Sequence, residues 1–91
     1  MKVTTEKVVS EFIAQVDGLE FVVKGRITEL MDTETDRKFY WSISHHYRPS
    51  ETAGVYYPST VSAKTIEEAE FLLLAYMKNF TSIGVVPNQY F

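Results

Sequence analysis

The 91-residue sequence contains no cysteine, and its four glycines are scattered. Without cysteine the chain has no disulfide, no thiolate nucleophile and no cysteine-ligated zinc or iron–sulfur site. The glycines match neither G-x-x-x-x-G-K-[ST] nor G-x-G-x-x-G, the patterns in which backbone amides hold phosphate. A nucleotide-binding loop of either kind is therefore not indicated.

Positive charge is also scarce. The nine Lys and Arg residues are dispersed, and twelve Asp and Glu residues bring the formal net charge to -3. Proteins that bind duplex nucleic acid usually carry a basic surface that neutralises phosphates. We expect no direct binding to duplex DNA or RNA.

Long hydrophobic runs are missing as well. The longest apolar stretch covers residues 71–77, far short of the roughly 20 residues that cross a bilayer. Residues 1–7 lack the apolar core of a signal peptide. We therefore expect a cytoplasmic protein that does not contact membranes.

The sequence offers no recognisable catalytic or metal-binding set. Its two histidines, His45 and His46, are neighbours, and neighbours on a strand point to opposite faces, so they cannot readily share one metal ion. The G-x-S-x-G motif of serine hydrolases is missing. The acidic run Glu67, Glu68 and Glu70 is explained by a helix start, where negative charge is favourable. We predict that the protein is not an enzyme and needs no cofactor or metal.

Apolar and aromatic residues, in contrast, are abundant. Hydrophobic residues make up 45% of the chain and aromatic residues 14%, well above the range of disordered proteins. A chain of this length builds one core. Residues 1–91 are predicted to form a single domain, with an apolar C-terminal tail at 83–91.

Residues 4–17 fit a helix better than a strand. On a helix their apolar side chains form one stripe, whereas on a strand they would divide between the two faces. The apolar residues concerned are Val8, Val9, Phe12, Ile13 and Val16. Gly18 would close the helix. The alternative is a hairpin that turns through Asp17 and Gly18.

Three strands are predicted next, at residues 19–30, 37–47 and 55–63, with polar loops at 32–36 and 49–54. The middle strand alternates most clearly, with Phe39, Trp41 and Ile43 on one face. Pro58 lacks the amide that a central strand donates, so the third strand is expected at a sheet edge.

The last predicted element is a helix that begins at a capping box, Thr65-Ile66-Glu67-Glu68. One stripe of this helix is expected to be buried. It consists of Ile66, Ala69, Leu73, Tyr76, Met77 and Phe80. Phe71 and Leu74 point away from that stripe, and we expect the apolar tail or a second subunit to cover them.

These elements predict an α+β fold of order α-β-β-β-α, a three-stranded antiparallel meander with two helices packed on one face. If the first segment is a strand, the fold becomes a four-stranded antiparallel meander with one C-terminal helix. The same core is expected in both cases. It comprises Phe12, Ile13, Phe21, Val23, Ile27, Phe39, Trp41, Ile43, Ile66, Ala69, Leu73 and Phe80.

The order helix, three strands, helix is similar to that of double-stranded-RNA-binding domains. Those domains place lysines at the start of the second helix, where this chain has Glu67, Glu68 and Glu70. Acidic side chains would repel phosphate there. The resemblance therefore implies a fold and not RNA binding.

The last third of the chain is similar to the end of HicB-type antitoxins. The likeness lies in Tyr57-Pro58, in Thr65-Ile66-Glu67-Glu68-Ala69 and in residues 83–87. The family's Pro-Asp-Leu-Pro-Gly segment is replaced by Pro58-Ser59-Thr60-Val61. This resemblance implies an alternative role, a regulator or inhibitor of a nucleic-acid-processing partner.

Two surfaces are candidates for binding. Large amphipathic side chains at the end of the middle strand are frequent contact residues. This first set consists of Tyr40, Ser44, His46, Tyr47 and Arg48. The second set, a candidate protein interface, consists of the surplus apolar residues Phe71, Leu74, Val85, Val86, Tyr90 and Phe91.

The leading hypothesis is a non-enzymatic protein-interaction or accessory domain that forms a homodimer or binds a protein partner. One alternative is an antitoxin-like or mobile-element regulator. Another is a small-molecule-binding domain with a pocket between the sheet and the helices.

Overall fold

The computed structural model describes residues 3–31 and 34–91, so part of the predicted loop at 32–36 lies outside the described residues. The described residues form six strands and one helix. The strands are β1 (Glu6–Gln15), β2 (Val22–Leu30), β3 (Phe39–Ile43), β4 (His45–His46), β5 (Ser62–Ala63) and β6 (Val86–Pro87), and the helix is α1 (Ile66–Lys78).

Four of the strands form one antiparallel sheet in the order β1-β2-β3-β5. Ile27 pairs with Trp41, and Phe12 pairs with Gly25. β4 and β6 form a separate two-stranded sheet. The helix α1 packs on one face of the larger sheet, which makes an α+β domain with one covered face and one open face.

The first segment is the strand β1, so the predicted N-terminal helix is wrong and the four-stranded alternative is right. The chain turns at Gly18, whose φ is +92°, and β2 then pairs along β1. A bulge between Val8 and Ser10 shifts the alternation of side chains. The spacing resembles a helix because β1 has apolar residues on both faces: Val8 and Ile13 are 53% and 63% exposed, whereas Phe12 packs against the core. Without the first helix, the similarity in element order to double-stranded-RNA-binding domains is also lost.

The predicted strands at 37–47 and 55–63 are shorter than expected. The first divides at Ser44, after which His45 and His46 leave the main sheet to pair with β6. In the second, only β5 pairs with β3, and Tyr56 makes an isolated bridge to Tyr47. Pro58 lies in the interrupted part and has no amide to donate.

The core lies between α1 and the covered face of the sheet. Its buried apolar members are Val23, Ile27, Trp41, Ile43, Tyr47, Ala63, Ala69, Leu73, Tyr76 and Met77. Gly25 lets the helix approach closely, because a β-carbon there would lie 2.7 Å from Leu73 Cδ1. The predicted buried stripe of α1 is confirmed at Ala69, Leu73, Tyr76 and Met77.

Two residues predicted in the core are largely exposed. Ile13 is 63% exposed because it pairs with Lys24 on the open face of the sheet. Phe21 is 45% exposed because it precedes β2 and stacks on His45, with ring centroids 4.6 Å apart. Phe12, Phe39, Ile66 and Phe80 are partly buried.

The predicted helix cap is confirmed. Thr65 Oγ1 accepts a hydrogen bond from the amide of Glu68 at 3.0 Å. The Glu68 carboxylate accepts one from the amide of Lys64 at 3.3 Å and lies 3.6 Å from Arg37 Nη2. The start of α1 is therefore tied both to the loop before it and to the residues that precede β3.

The corrected core predicts different costs for two aromatic truncations. Trp41→Ala should lower the free energy of unfolding by about 3–5 kcal/mol, because the ring is enclosed. Phe21→Ala should lower it by only about 1 kcal/mol, mostly through the lost ring contact with His45. Urea denaturation of both variants measures the difference. Equal losses would show that the core is assigned to the wrong side chains.

Candidate binding site around His46

The five residues of the first candidate set do not share one surface. Tyr40 lies on the open face of the sheet, where it pairs with Thr28. Ser44 is used locally, since its hydroxyl oxygen accepts from the amide of Lys24 and lies 2.8 Å from His45 Nδ1. Neither residue lines the cleft that His46 borders.

Tyr47 was expected at the surface, and the structure places it in the core at 1% exposure. Its ring packs against Phe80 and Tyr76, with centroid distances of 4.5 Å and 5.0 Å. The reason is the change of strand partner at Ser44, which turns the following residues relative to β3. The prediction that Tyr47 is a surface contact residue is therefore wrong, because its side chain lies in the core.

Arg48 holds a loop together. Its guanidinium group donates to the carbonyl of Ala53 at 2.6 Å and to the carbonyl of Glu51. Its aliphatic part lies against Gly84, which has a φ of +57° and leaves no room for a β-carbon. The donors of Arg48 are thus used to order residues 49–54.

His46 is the residue of this set that lines the cleft, and its side chain is 8% exposed. Only one of its ring nitrogens has a hydrogen-bond partner among the described residues. His46 Nδ1 lies 3.2 Å from Tyr76 Oη, and the Tyr76 hydroxyl donates to the carbonyl of Tyr56. A phenol has one hydrogen, so Tyr76 Oη accepts from Nδ1–H of His46. In the neutral ring this assigns the proton to Nδ1 and leaves the lone pair on Nε2.

Burial shapes the protonation of this group. It lowers the pKa of His46 below the ordinary value, and the neighbouring His45 lowers that pKa further. Burial, reinforced by Tyr47, raises the pKa of the Tyr76 phenol. Near neutral pH the pair is therefore a neutral imidazole and a neutral phenol.

His46 forms part of the wall of a cleft of about 440 Å³. The other lining residues are Tyr57, Val86, Pro87, Asn88, Gln89 and Tyr90. The tail reaches this place because β6 pairs with β4 and sets Val86 beside His46. Tyr57 meets the His46 ring edge-on, with centroids 4.9 Å apart. One residue of the first candidate set and two of the second, Val86 and Tyr90, thus meet at one cleft.

The sequence did not indicate Tyr57, Pro87, Asn88 and Gln89 as lining residues. Nothing in the local pattern marks them, because the cleft depends on the pairing of two-residue strands that lie far apart in the chain. Another cleft, of about 220 Å³, is lined by residues that include Trp41 and Tyr76. There Trp41 Nε1 donates to the carbonyl of Thr60 at 2.9 Å, so its polar group is already satisfied.

The C-terminal tail does not cover Phe71, which is 72% exposed. Val85 packs on the core instead, and Phe91 lies over the guanidinium group of Arg26, 4.2 Å from the ring centroid. Leu74 is half-buried. The expectation that the tail covers the outer face of α1 is therefore wrong for Phe71.

On the open face of the sheet, Phe91 of the tail contacts Arg26 through a hydrogen bond as well as through its ring. Arg26 Nη1 donates to the carbonyl of Phe91 at 3.3 Å. Arg26 Nε lies 3.9 Å from the Glu11 carboxylate, which is too long for a hydrogen bond, and this buried nitrogen has no hydrogen-bond partner among the described residues. The tail therefore closes over the middle of the open face.

Both histidines should make stability depend on pH. Burial lowers the pKa of His45 and of His46, so below about pH 6.5 the unfolded chain takes up protons that the folded chain resists. The free energy of unfolding should therefore decrease from pH 7.5 to pH 5.5, as measured by urea denaturation. His45→Gln should reduce this decrease and leave the region from pH 7.5 to 8.5 flat. A free energy of unfolding that rises as the pH falls would contradict the assignment.

Comparison with protein-family models, curated proteins and solved structures finds no match for this chain. Within residues 3–31 and 34–91, no helix is long and apolar enough to cross a membrane, and no group of three or more acidic or histidine side chains is arranged to hold a metal ion.

Proposed function

We propose that this protein is a protein-interaction domain that associates with a second copy of itself through the outer face of α1. The observation that carries the proposal is the outer stripe, defined as Glu67, Phe71, Leu74 and Lys78. Phe71, at the middle of the stripe, is the most exposed hydrophobic side chain of the helix.

The outer stripe has the spacing of a helix–helix seam. Its residues are separated by four, three and four positions, so they lie along one side of the helix opposite the buried stripe. Glu67, Phe71 and Lys78 are exposed, and Leu74 is half-buried. An apolar centre with a charged group at each end is the composition of a small interface with a polar rim.

The order of charges favours an antiparallel arrangement of two copies. A two-fold axis at the height of residues 72–73 sets Glu67 of each copy opposite Lys78 of the other, and Phe71 opposite Leu74. A parallel arrangement would set Glu67 against Glu67 and Lys78 against Lys78. Neither Glu67 nor Lys78 forms an ion pair with another described residue, so both charges are available.

The expected association is weak. The outer stripe is about 16 Å long, given a rise of about 1.5 Å per residue. Such a contact falls at the small end of specific interfaces. We therefore expect a dissociation constant in the micromolar range or above, and stronger association at low salt, where exposed charge pairs are less screened.

Removal of the central aromatic side chain should separate the copies. Phe71→Ser should raise the dimer dissociation constant about tenfold or more, because a central aromatic anchor is lost. Its effect on folding should be small, since the side chain is exposed. Ile13→Ser, which also removes an exposed apolar side chain but on the open face of the sheet, is the matched control. Sedimentation equilibrium at several concentrations gives both constants.

A monomeric wild-type chain at millimolar concentration and low salt would contradict the proposal. So would an equal effect of Phe71→Ser and Ile13→Ser. If the wild-type chain is monomeric but the outer stripe binds a different protein, self-association is wrong and only the interaction surface remains.

Charge reversal tests the antiparallel arrangement separately. Glu67→Lys or Lys78→Glu alone should weaken the dimer roughly three- to tenfold, because two attractive pairs become repulsive. The double variant should recover the wild-type constant. The double variant places an unfavourable charge at both ends of the helix dipole, so it controls for any loss of helix stability.

Mixing the two single variants gives an independent result. One chain then carries two positive ends and the other two negative ends, so the mixed dimer is complementary at both positions. Sedimentation of the mixture should show more dimer than either variant alone. A double variant that stays monomeric, with its fold intact by circular dichroism, would overturn the antiparallel arrangement.

A further inference from the structure

We infer that the cleft beside His46 binds a small planar aromatic molecule that donates one N–H or O–H hydrogen bond to His46 Nε2. The cleft lies away from the outer stripe and does not depend on self-association. The inference rests on three features: an acceptor of fixed tautomer, flanking aromatic rings, and a wall held in place by hydrogen bonds.

The acceptor is His46 Nε2. The bond from Nδ1–H to Tyr76 leaves Nε2 as the remaining polar atom of a ring that is 8% exposed and borders the cleft. Arg26 Nε is the one side-chain nitrogen or oxygen of the described residues that is enclosed without a hydrogen-bond partner, so His46 Nε2 is reached by water. A ligand that donates to Nε2 replaces that water and keeps the hydrogen bond. Among the described residues, no side chain is recorded as donating to this nitrogen.

Tyr57 and Tyr90 supply the aromatic surface. Both line the cleft and both are exposed, at 62% and 87%. The edge-on contact places the Tyr57 ring next to the ring of His46. Aromatic rings stack favourably on flat apolar molecules, so a planar ligand would cover phenol surface that is otherwise in water.

The wall opposite Tyr57 is ordered before any ligand arrives. The Asn88 amide donates to the carbonyl of Ser44 at 2.8 Å, and its side-chain amide donates to the carbonyl of Ile43 at 2.9 Å. The amide of Tyr90 donates to Asn88 Oδ1 at 3.0 Å. Because these bonds already fix the backbone around the cleft, binding costs less ordering of the chain.

The volume limits the size of the ligand. A cleft of about 440 Å³ lies in the lower half of the range of small-molecule sites. It suits a molecule of one or two fused rings. The cleft near Trp41 is half that volume, and its indole nitrogen is already bonded to Thr60, so it offers no matching acceptor.

The test uses two isomeric probes, 3-methylindole and 1-methylindole, in nuclear magnetic resonance titrations of the intact chain. The isomers have the same size and apolar character, but only 3-methylindole retains the N–H donor. We expect 3-methylindole to shift the resonances of His46, Tyr57 and Tyr90 and to bind roughly three- to tenfold more tightly than 1-methylindole, the range for one hydrogen bond to a neutral acceptor.

A protein variant adds a second comparison. Tyr57→Ala should weaken 3-methylindole binding several-fold, whereas Tyr40→Ala, on the open face of the sheet, should leave it unchanged. Backbone amide spectra show whether each variant keeps its fold. Equal affinity for the two isomers, shifts centred on Trp41 instead of His46, or no saturation at millimolar probe would overturn the inference.

Discussion

The close packing of α1 on the sheet determines which side chains are buried and where the two candidate sites lie. Gly25 removes one side chain from the middle of β2, and Leu73 and Met77 occupy the space that a β-carbon would need. The helix therefore lies close to the sheet with Leu73 and Met77 turned toward Gly25. That setting decides which helical side chains are hidden and which face water, and both candidate sites depend on it.

The two sites use opposite sides of the same helix. On the inner side, Tyr76 projects toward Tyr56 and His46, where its hydroxyl connects the helix to the loop and to β4. On the outer side, Phe71 is left exposed. With only one helix on a four-stranded sheet, no other element of the described chain reaches the outer side, and the tail is used on the open face instead.

The parts of the fold that depend on local chemistry could be predicted from the sequence. The cap at Thr65, the buried stripe of α1 and the outward position of Phe71 follow from helical geometry alone. The first strand could not be predicted with the same reasoning, because β1 carries exposed apolar residues, Val8 and Ile13, in addition to those that pack on the core. Residues 6–15 form a strand because they pair with β2, and the local sequence pattern does not predict such pairing well.

The candidate site was predictable only in part, for a related reason. His46 and Tyr90 stood out by residue type, but their meeting requires the chain to change partners at Ser44 and pair with β6. Once the two strands pair, the hydrogen bonds determine which nitrogen of His46 carries the proton. The Tyr76 phenol keeps its hydrogen near neutral pH even without burial, since the ordinary tyrosine pKa is about 10. That hydrogen goes to the carbonyl of Tyr56, which can only accept, so His46 donates from Nδ1. The hydrogen bond from Tyr76 to the carbonyl of Tyr56 is thus what makes Nε2 of the neutral His46 ring an acceptor.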